Sequence, residues 1–128
     1  MSSFEDFNLN KLLLNAVNDL GFERPTPVQE QSFPVILSGK NVVGIAQTGT
    51  GKTLAYALPI LQSLKFSKQN TPRVLILVPT RELVLQVVEQ IKALATYQTI
   101  RVMGVYGGTN INTQSAALYE GVDILVAT

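Results

Sequence analysis

Hydrophobic and polar positions along this chain change rhythm near residue 40. Before that point the spacing is helical. Leu12, Leu13, Ala16, Val17 and Leu20 fall on one helical face behind Asn10, a good cap, and Gly21 is a good stop. The Pro-rich turn ERPTP leads into a second predicted helix from about Val28 to Leu37, closed by Ser38 and Gly39. Pro34 lies inside that helix and is expected to kink it or cost it a backbone bond.

After residue 40, short apolar runs alternate with helical ones. NVVGIA (41–46) predicts a strand, followed by a glycine-rich loop and a helix through Leu64. A polar loop, KFSKQNTP, precedes RVLILVP (73–79), a continuous apolar strand of the kind buried on both faces. The next helix, from about Thr80 to Ala95, places Leu83, Val87, Ile91 and Leu94 along a buried stripe. Its polar face carries Glu82, Gln86, Glu89 and Lys92. RVMGVYGG (101–108) predicts a third strand, 113–120 another helix, and VDILVA (122–127) a fourth strand. Four alternations of strand and helix predict an α/β fold, a parallel sheet with helices on both faces.

Composition narrows the chemistry. The 128 residues fit one domain able to bury a core, and 46% hydrophobic with 15% charged residues describes a globular protein. No apolar run approaches a membrane span and no signal-peptide pattern opens the chain. With no cysteine and no histidine, disulfides, thiolate metal sites and histidine-based catalysis are excluded, and a reducing, cytoplasmic setting is expected. The net charge of +1 hides no basic stripe: four basic residues face five acidic ones before Lys65, and six face four from Lys65 onward. A case for nucleic-acid binding must therefore come from specific residues.

The run AQTGTGKT (46–53) reads as a phosphate-binding loop, with Ala46 where the usual pattern has glycine. Such a loop needs inward N–H groups, a lysine for the outer phosphates and a hydroxyl for magnesium. Gly49 and Gly51 open the backbone, Lys52 supplies the charge and Thr53 the hydroxyl, at the start of a helix whose positive end faces the same spot. Ala46 ends the predicted strand, where a small side chain suffices. The bland alternative is a glycine turn with a solvated Lys52, but a strand before and a helix after favour the nucleotide site.

Other segments carry a family resemblance. GFERPTPVQ (21–29) resembles the Q motif of the DEAD-box RNA helicases, and AQTGTGKT is similar to that family's phosphate loop, where alanine at the first position is usual. PTREL (79–83) resembles motif Ia, Gly107-Gly108-Thr109 the GG motif, and the closing VAT the start of a Thr-Pro-Gly-Arg motif. The resemblance covers the whole chain with the motifs in order. It implies a P-loop NTPase domain of RecA-like fold, from an ATP-dependent RNA helicase using ATP and Mg2+. It further implies that Thr48, Gly49, Thr50, Gly51, Lys52 and Thr53 hold the nucleotide, with Lys52 and Thr53 serving catalysis and Thr53 the magnesium.

For the base, the Gln29 amide offers one donor and one acceptor, complementary to the N6–H and N7 edge of adenine, whereas guanine presents two acceptors there. Phe4 lies seventeen residues before Gly21, where the family places an aromatic that stacks on adenine. Phe7 competes for that role, and packing of the first helix is the other reading of Phe4. The family also implies that Arg24 approaches the base or its neighbours.

On the nucleic-acid side, the resemblance implies that Pro79, Thr80, Arg81, Gly107, Gly108 and Thr128 grip the sugar-phosphate backbone of RNA without reading bases. The chemistry suits this. Arg81 can bind a phosphate in bidentate fashion near a helix N-terminus, and Gly107 and Gly108 admit close backbone approach. Pairing of Arg81 with Glu82 or Glu89 is the alternative, and Tyr97 and Tyr106 read as packing residues.

The chain departs from the family by absence. It holds no Asp-Glu-Ala-Asp motif, no Ser-Ala-Thr motif and no second RecA-like domain with its arginines. We therefore expect a C-terminally truncated part of a longer helicase, with residues 1–39 as the Q-motif region and 40–128 as a partial ATP-binding domain. Its partners are expected to be RNA and the second RecA-like domain of the parent, and no membrane. By itself it is expected to bind adenine nucleotide and neither hydrolyse ATP nor unwind RNA. In the family, strands carrying the missing motifs lie beside the phosphate-loop strand, so Val42–Ala46 is expected to expose an apolar, unpaired edge. Two alternatives stand beside this reading: another P-loop NTPase, such as a GTPase or small-molecule kinase, and a nucleotide-stabilised binding module.

Overall fold

A computed structural model describes residues 3–47, 49, 51–65, 68–108 and 111–128. The chain forms two compact units, Met1–Lys65 with Ala93–Gln98, and Phe66–Lys92 with Thr99–Thr128.

The first unit is helical. A 3-10 turn, Phe4–Phe7, precedes α1, Lys11–Asp19, where Asn10 Oδ1 accepts the Leu13 N–H at 2.9 Å. Such a cap contributes about 1 kcal/mol. Helix α2, Pro27–Leu37, starts with proline at its first position and ends through Ser38 and Gly39, the latter at φ +85°. It continues through Pro34 without a break. Helix α3, Lys52–Ser63, follows directly on Gly51, which sits in the left-handed region at φ +79°.

Leu13, Ala16 and Val17 of α1, Phe33 of α2, and Leu54, Leu58 and Leu61 of α3 are buried together with Leu94 and Ala95. Full burial of a leucine such as Leu61 contributes about 2 kcal/mol. Ser32 adds a polar link between α2 and α3. Its Oγ donates to Val28 O at 2.6 Å and lies 3.4 Å from Ala55 O, the carbonyl that Pro59 deprives of its helical donor.

The strand expected over 41–46 does not form a ladder. Residues 41–47 form no strand, and Val43 and Ile45 are 91% and 95% exposed. A strand exists only through its neighbour's hydrogen bonds, and no described strand pairs with this segment. The exposed apolar stretch anticipated for Val42–Ala46 is what results.

The second unit holds a parallel three-stranded sheet with helices: β1 (Val74–Leu77), α4 (Arg81–Leu94, running on into the first unit), β2 (Val102–Val105), α5 (Ile111–Glu120) and β3 (Ile124–Ala127). The order is β1-β3-β2, with Val74 and Val102 both registered on Ile124. The last strand in sequence is thus the central one. β1 is not buried on both faces as its composition suggested. Leu75 and Leu77, two residues apart and so on one face of the strand, are 60% and 69% exposed, so that face is left uncovered.

Helix α4 buries Val84, Val87, Ile91 and Leu94, so its stripe begins at Val84 and not at Leu83. The cause sits on β2. A Cβ on Gly104 would lie 2.7 Å from Val84 Cγ1 and 3.2 Å from Val88 Cγ2, and the bare glycine lets the helix approach through those valines. Among the described residues, no helix is long and apolar enough to cross a membrane.

At the N-terminal ends of the three strands stand Arg73, Arg101 and Asp123. Asp123 Oδ1 accepts from Arg73 Nη2 at 2.9 Å and Arg101 Nη2 at 3.1 Å, while Oδ2 accepts the Arg101 backbone N–H at 2.9 Å. Burial opposes ionisation of Asp123, but the hydrogen bonds from Arg101 and Arg73 override it and hold the carboxyl at about 2. One carboxylate therefore ties the starts of all three strands.

Candidate functional site

The glycine-rich loop belongs to the first unit, between an exposed apolar segment and α3. Gly49 and Gly51 both adopt positive φ, +85° and +79°, the conformation for which glycine was expected here. Lys52 Nζ donates to Ala46 O at 2.9 Å, folding across the loop from its C-terminal to its N-terminal end. Thr53 stands one helical turn before Tyr56 in α3. Burial pushes the Tyr56 phenol up, and the neighbouring Thr53 side chain offsets part of the rise. Thr48 and Thr50 lie outside the described residues.

The Q-motif segment reaches this loop directly. Gln29, only 4% exposed, accepts the Thr26 N–H on Oε1 at 2.9 Å and donates from Nε2 to Gly51 O at 3.1 Å. The amide thus caps the start of α2 with one end and grips the backbone of the glycine-rich loop with the other. Each end keeps capacity for one further hydrogen bond, a lone pair on Oε1 and a hydrogen on Nε2. Thr26 Oγ1, beside it, is buried with no hydrogen-bond partner among the described residues.

The aromatic residues of the same unit pack on one another. Phe4 is 2% exposed and meets Phe7 edge-on with centroids 5.5 Å apart, and Phe7 stacks on Phe33 at 4.6 Å. In this structure Phe4 packs, with no ring face open to a base. Arg24 is exposed.

In the second unit, the parallel register brings another set together. Pro79, Thr80 and Arg81 follow β1, Gly107 and Gly108 follow β2, and Thr128 follows β3, all six exposed. Val78 and Thr128 continue the ladder, donating to Ala127 O at 2.9 Å and Val105 O at 3.3 Å. All six therefore lie at the carboxyl ends of adjacent parallel strands, where open α/β sheets bind their ligands. Thr80 Oγ1 accepts the Leu83 N–H at 3.2 Å and caps α4. Thr109 of the GG segment lies outside the described residues.

Two features escaped the sequence. Tyr106, read there as packing, has the Arg81 guanidinium 5.0 Å from its ring centroid and donates its backbone N–H to Gln114 Oε1 at 3.1 Å. The Arg73–Asp123–Arg101 tie also went unseen, although each of these residues directly precedes an apolar run, which is a readable signal. Among the described residues, no cluster of acidic side chains suited to a metal ion is present.

Comparison with known proteins sets this geometry in context. "Probable ATP-dependent RNA helicase DDX27" of Bos taurus is 47% identical over 98% of this chain and 17% of its own length. "ATP-dependent RNA helicase CshA" of Listeria monocytogenes is 42% identical over all of this chain and 24% of its own. The chain thus spans about a fifth of these relatives. Among solved structures, the RNA helicase Prp28 of Chaetomium thermophilum bound to ADP superposes with a TM-score of 0.88 at 38% identity, over 100% of this chain and 32% of that one. A DEAD box protein from Methanococcus jannaschii gives a TM-score of 0.90 at 36% identity, over 98% of this chain and 34% of that one. The DEAD/DEAH box helicase family model matches residues 26–128, from the Thr26 cap through the glycine loop to the last strand. With fold, loop and relatives in agreement, the chain belongs to the DEAD/DEAH box helicase family.

Proposed function

We propose that this chain is the nucleotide-binding part of an ATP-dependent RNA helicase, and that residues 1–39 serve adenine recognition while 40–128 carry the phosphate and RNA contacts. The observation that carries the nucleotide reading is the Gln29–Gly51 bond, which joins a base-reading amide to the backbone that would cradle phosphates. The remaining donor and acceptor on that amide match the N6–H and N7 edge of adenine. Thr48 to Thr53 would surround the phosphates, with Lys52 exchanging the Ala46 carbonyl for the outer phosphates. Arg24 would lie near the base.

A magnesium ion fits the donor set. Thr53 offers one hydroxyl at the first turn of α3, and magnesium is commonly held by one or two protein oxygens, phosphates and waters. When bound, the ion would neutralise charge developing on the phosphates. The sequence holds no Asp-Glu-Ala-Asp pair to position an attacking water, so this chain binds nucleotide without turning it over. Hydrolysis and strand separation belong to the parent with its second RecA-like domain.

RNA would lie along the strand ends, its backbone held by Pro79, Thr80, Arg81, Gly107, Gly108 and Thr128. The grouping of these exposed residues at one end of a parallel sheet supports that reading.

Calorimetric titration with ADP and with GDP, magnesium present, tests the nucleotide reading. We expect ADP to bind, GDP not to bind, and Gln29→Ala to abolish the preference. Equal binding of both nucleotides, or indifference to Gln29, would return the site to a generic phosphate loop. Turnover of ATP by the purified chain would refute the proposed lack of hydrolysis.

A further inference from the structure

Arg81 opens α4, where the helix dipole disfavours a cation. Among the described residues no carboxylate lies within ion-pair distance of it, so the expected alternatives, Glu82 and Glu89, do not hold it. Its guanidinium carbon stands instead 5.0 Å from the centroid of the Tyr106 ring. A ring face attracts a guanidinium through its quadrupole and consumes none of its five N–H donors. The charge is biased toward one position and its hydrogen-bonding capacity stays unspent, on an exposed side chain.

Tyr106 is itself held. It is half-buried at the end of β2, with its backbone N–H on Gln114 Oε1 of α5 at 3.1 Å. The next residues are Gly107 and Gly108, the latter at φ +84°. One residue therefore carries a guanidinium on its ring and an open glycine turn on its backbone. An unrestrained arginine gives up rotamer freedom when it binds an anion, and one already seated on a ring gives up less.

We propose that Tyr106 is a positioning residue for nucleic-acid binding: its ring presets Arg81 for bidentate contact with a phosphodiester of single-stranded RNA. Gln114 keeps Tyr106 in register with the Gly107-Gly108 turn. This rests on the RNA reading of the strand-end residues given above.

The test is fluorescence anisotropy of a fluorescein-labelled oligouridylate with the full chain, its Tyr106→Phe, Tyr106→Leu and Arg81→Ala variants, and the Arg81→Ala/Tyr106→Leu pair. Phenylalanine keeps the ring and should bind within about two-fold of the unaltered chain, whereas leucine should weaken binding about two- to five-fold. In the Arg81→Ala background the leucine change should cost nothing further. Undiminished binding by Tyr106→Leu, or an equal loss with Arg81 already removed, would overturn the proposal and leave the RNA reading standing. If the unaltered chain binds no oligouridylate, the RNA reading falls and this inference with it.

Should the leucine variant not fold, proton NMR of the unaltered chain decides. The Arg81 δ-methylene protons should be shifted upfield by the ring and should move again as oligouridylate is added. Unshifted, unresponsive resonances would overturn the proposal.

Discussion

Gln29 and Gly51 are built around each other. The Gln29 amide donates to the Gly51 carbonyl, and a Cβ on Gly51 would fall onto Gln29 Nε2 at a separation no real side chain tolerates. Gly51 also holds φ +79°, which an alanine adopts at a cost of about 1 kcal/mol. Gly51→Ala should therefore lower stability by more than that strain, because Gln29 must leave as well. In a Gln29→Ala background the steric part disappears. We expect Gly51→Ala to cost only about 1 kcal/mol there, a non-additivity that a denaturant double-mutant cycle measures. Equal costs in both backgrounds would refute the lock.

Lys52 offers the opposite case. Its bond to Ala46 O is exposed, so Lys52→Ala should change stability by no more than about 0.5 kcal/mol. Its loss should nonetheless weaken ADP binding at least about ten-fold, since a phosphate contact to an ammonium is charge-assisted. Calorimetry paired with a thermal melt separates the two effects.

Asp123 should make the second unit acid-sensitive in a defined window. Its folded carboxyl titrates at about 2 against an ordinary 3.8, so its stabilisation is fully present above about pH 4 and is lost as pH falls toward 2. Water around the partly exposed arginines reduces the contribution to about 1–2 kcal/mol. Asp123→Asn should remove that part of the acid dependence as well as lower stability near neutral pH. A variant whose stability falls as steeply as the parent between pH 4 and 2 would refute the assignment.

Gly104→Ala should overpack the contact between β2 and α4. With Val84 Cγ1 at 2.7 Å and Val88 Cγ2 at 3.2 Å from the new methyl, the helix must lift or the valines must turn. A loss of about 1–3 kcal/mol is expected in chemical denaturation. Trimming the obstacle with Val84→Ala should recover part of the loss caused by Gly104→Ala.

Much of this was legible in the residues, and the failures share a cause. Caps and stops such as Asn10, Gly21 and Gly39 are local, and the structure places each where the sequence put it. The backbone of the glycine loop was legible because glycine adopts positive φ at little cost, and Gly49 and Gly51 hold φ +85° and +79°. What failed depended on neighbours. NVVGIA has the composition of a strand but no described partner, and RVLILVP has the composition of a strand covered on both faces but leaves the face of Leu75 and Leu77 exposed. The α4 stripe shifted to Val84 because the surface it meets is shaped by Gly104, twenty residues downstream. Tyr106 looked like packing because a sequence shows an aromatic and an arginine but not their distance.

The strand order also constrains how the second unit is born. Among the described residues β1 and β2 do not pair with each other; each finds its strand partner in β3, about fifty and twenty-two residues further along in the paired register. Until β3 arrives, the two earlier strands are edges facing a slot about 10 Å wide, twice the interstrand spacing. A chain emerging from the ribosome therefore cannot close this sheet strand by strand. It must hold two apolar ribbons unpaired and then insert the third between them, a step governed by long-range loop closure. The emergence of Ile124–Ala127 is the moment at which the sheet becomes possible, and nascent chains that still lack it outside the ribosome should present β1 and β2 to chaperones.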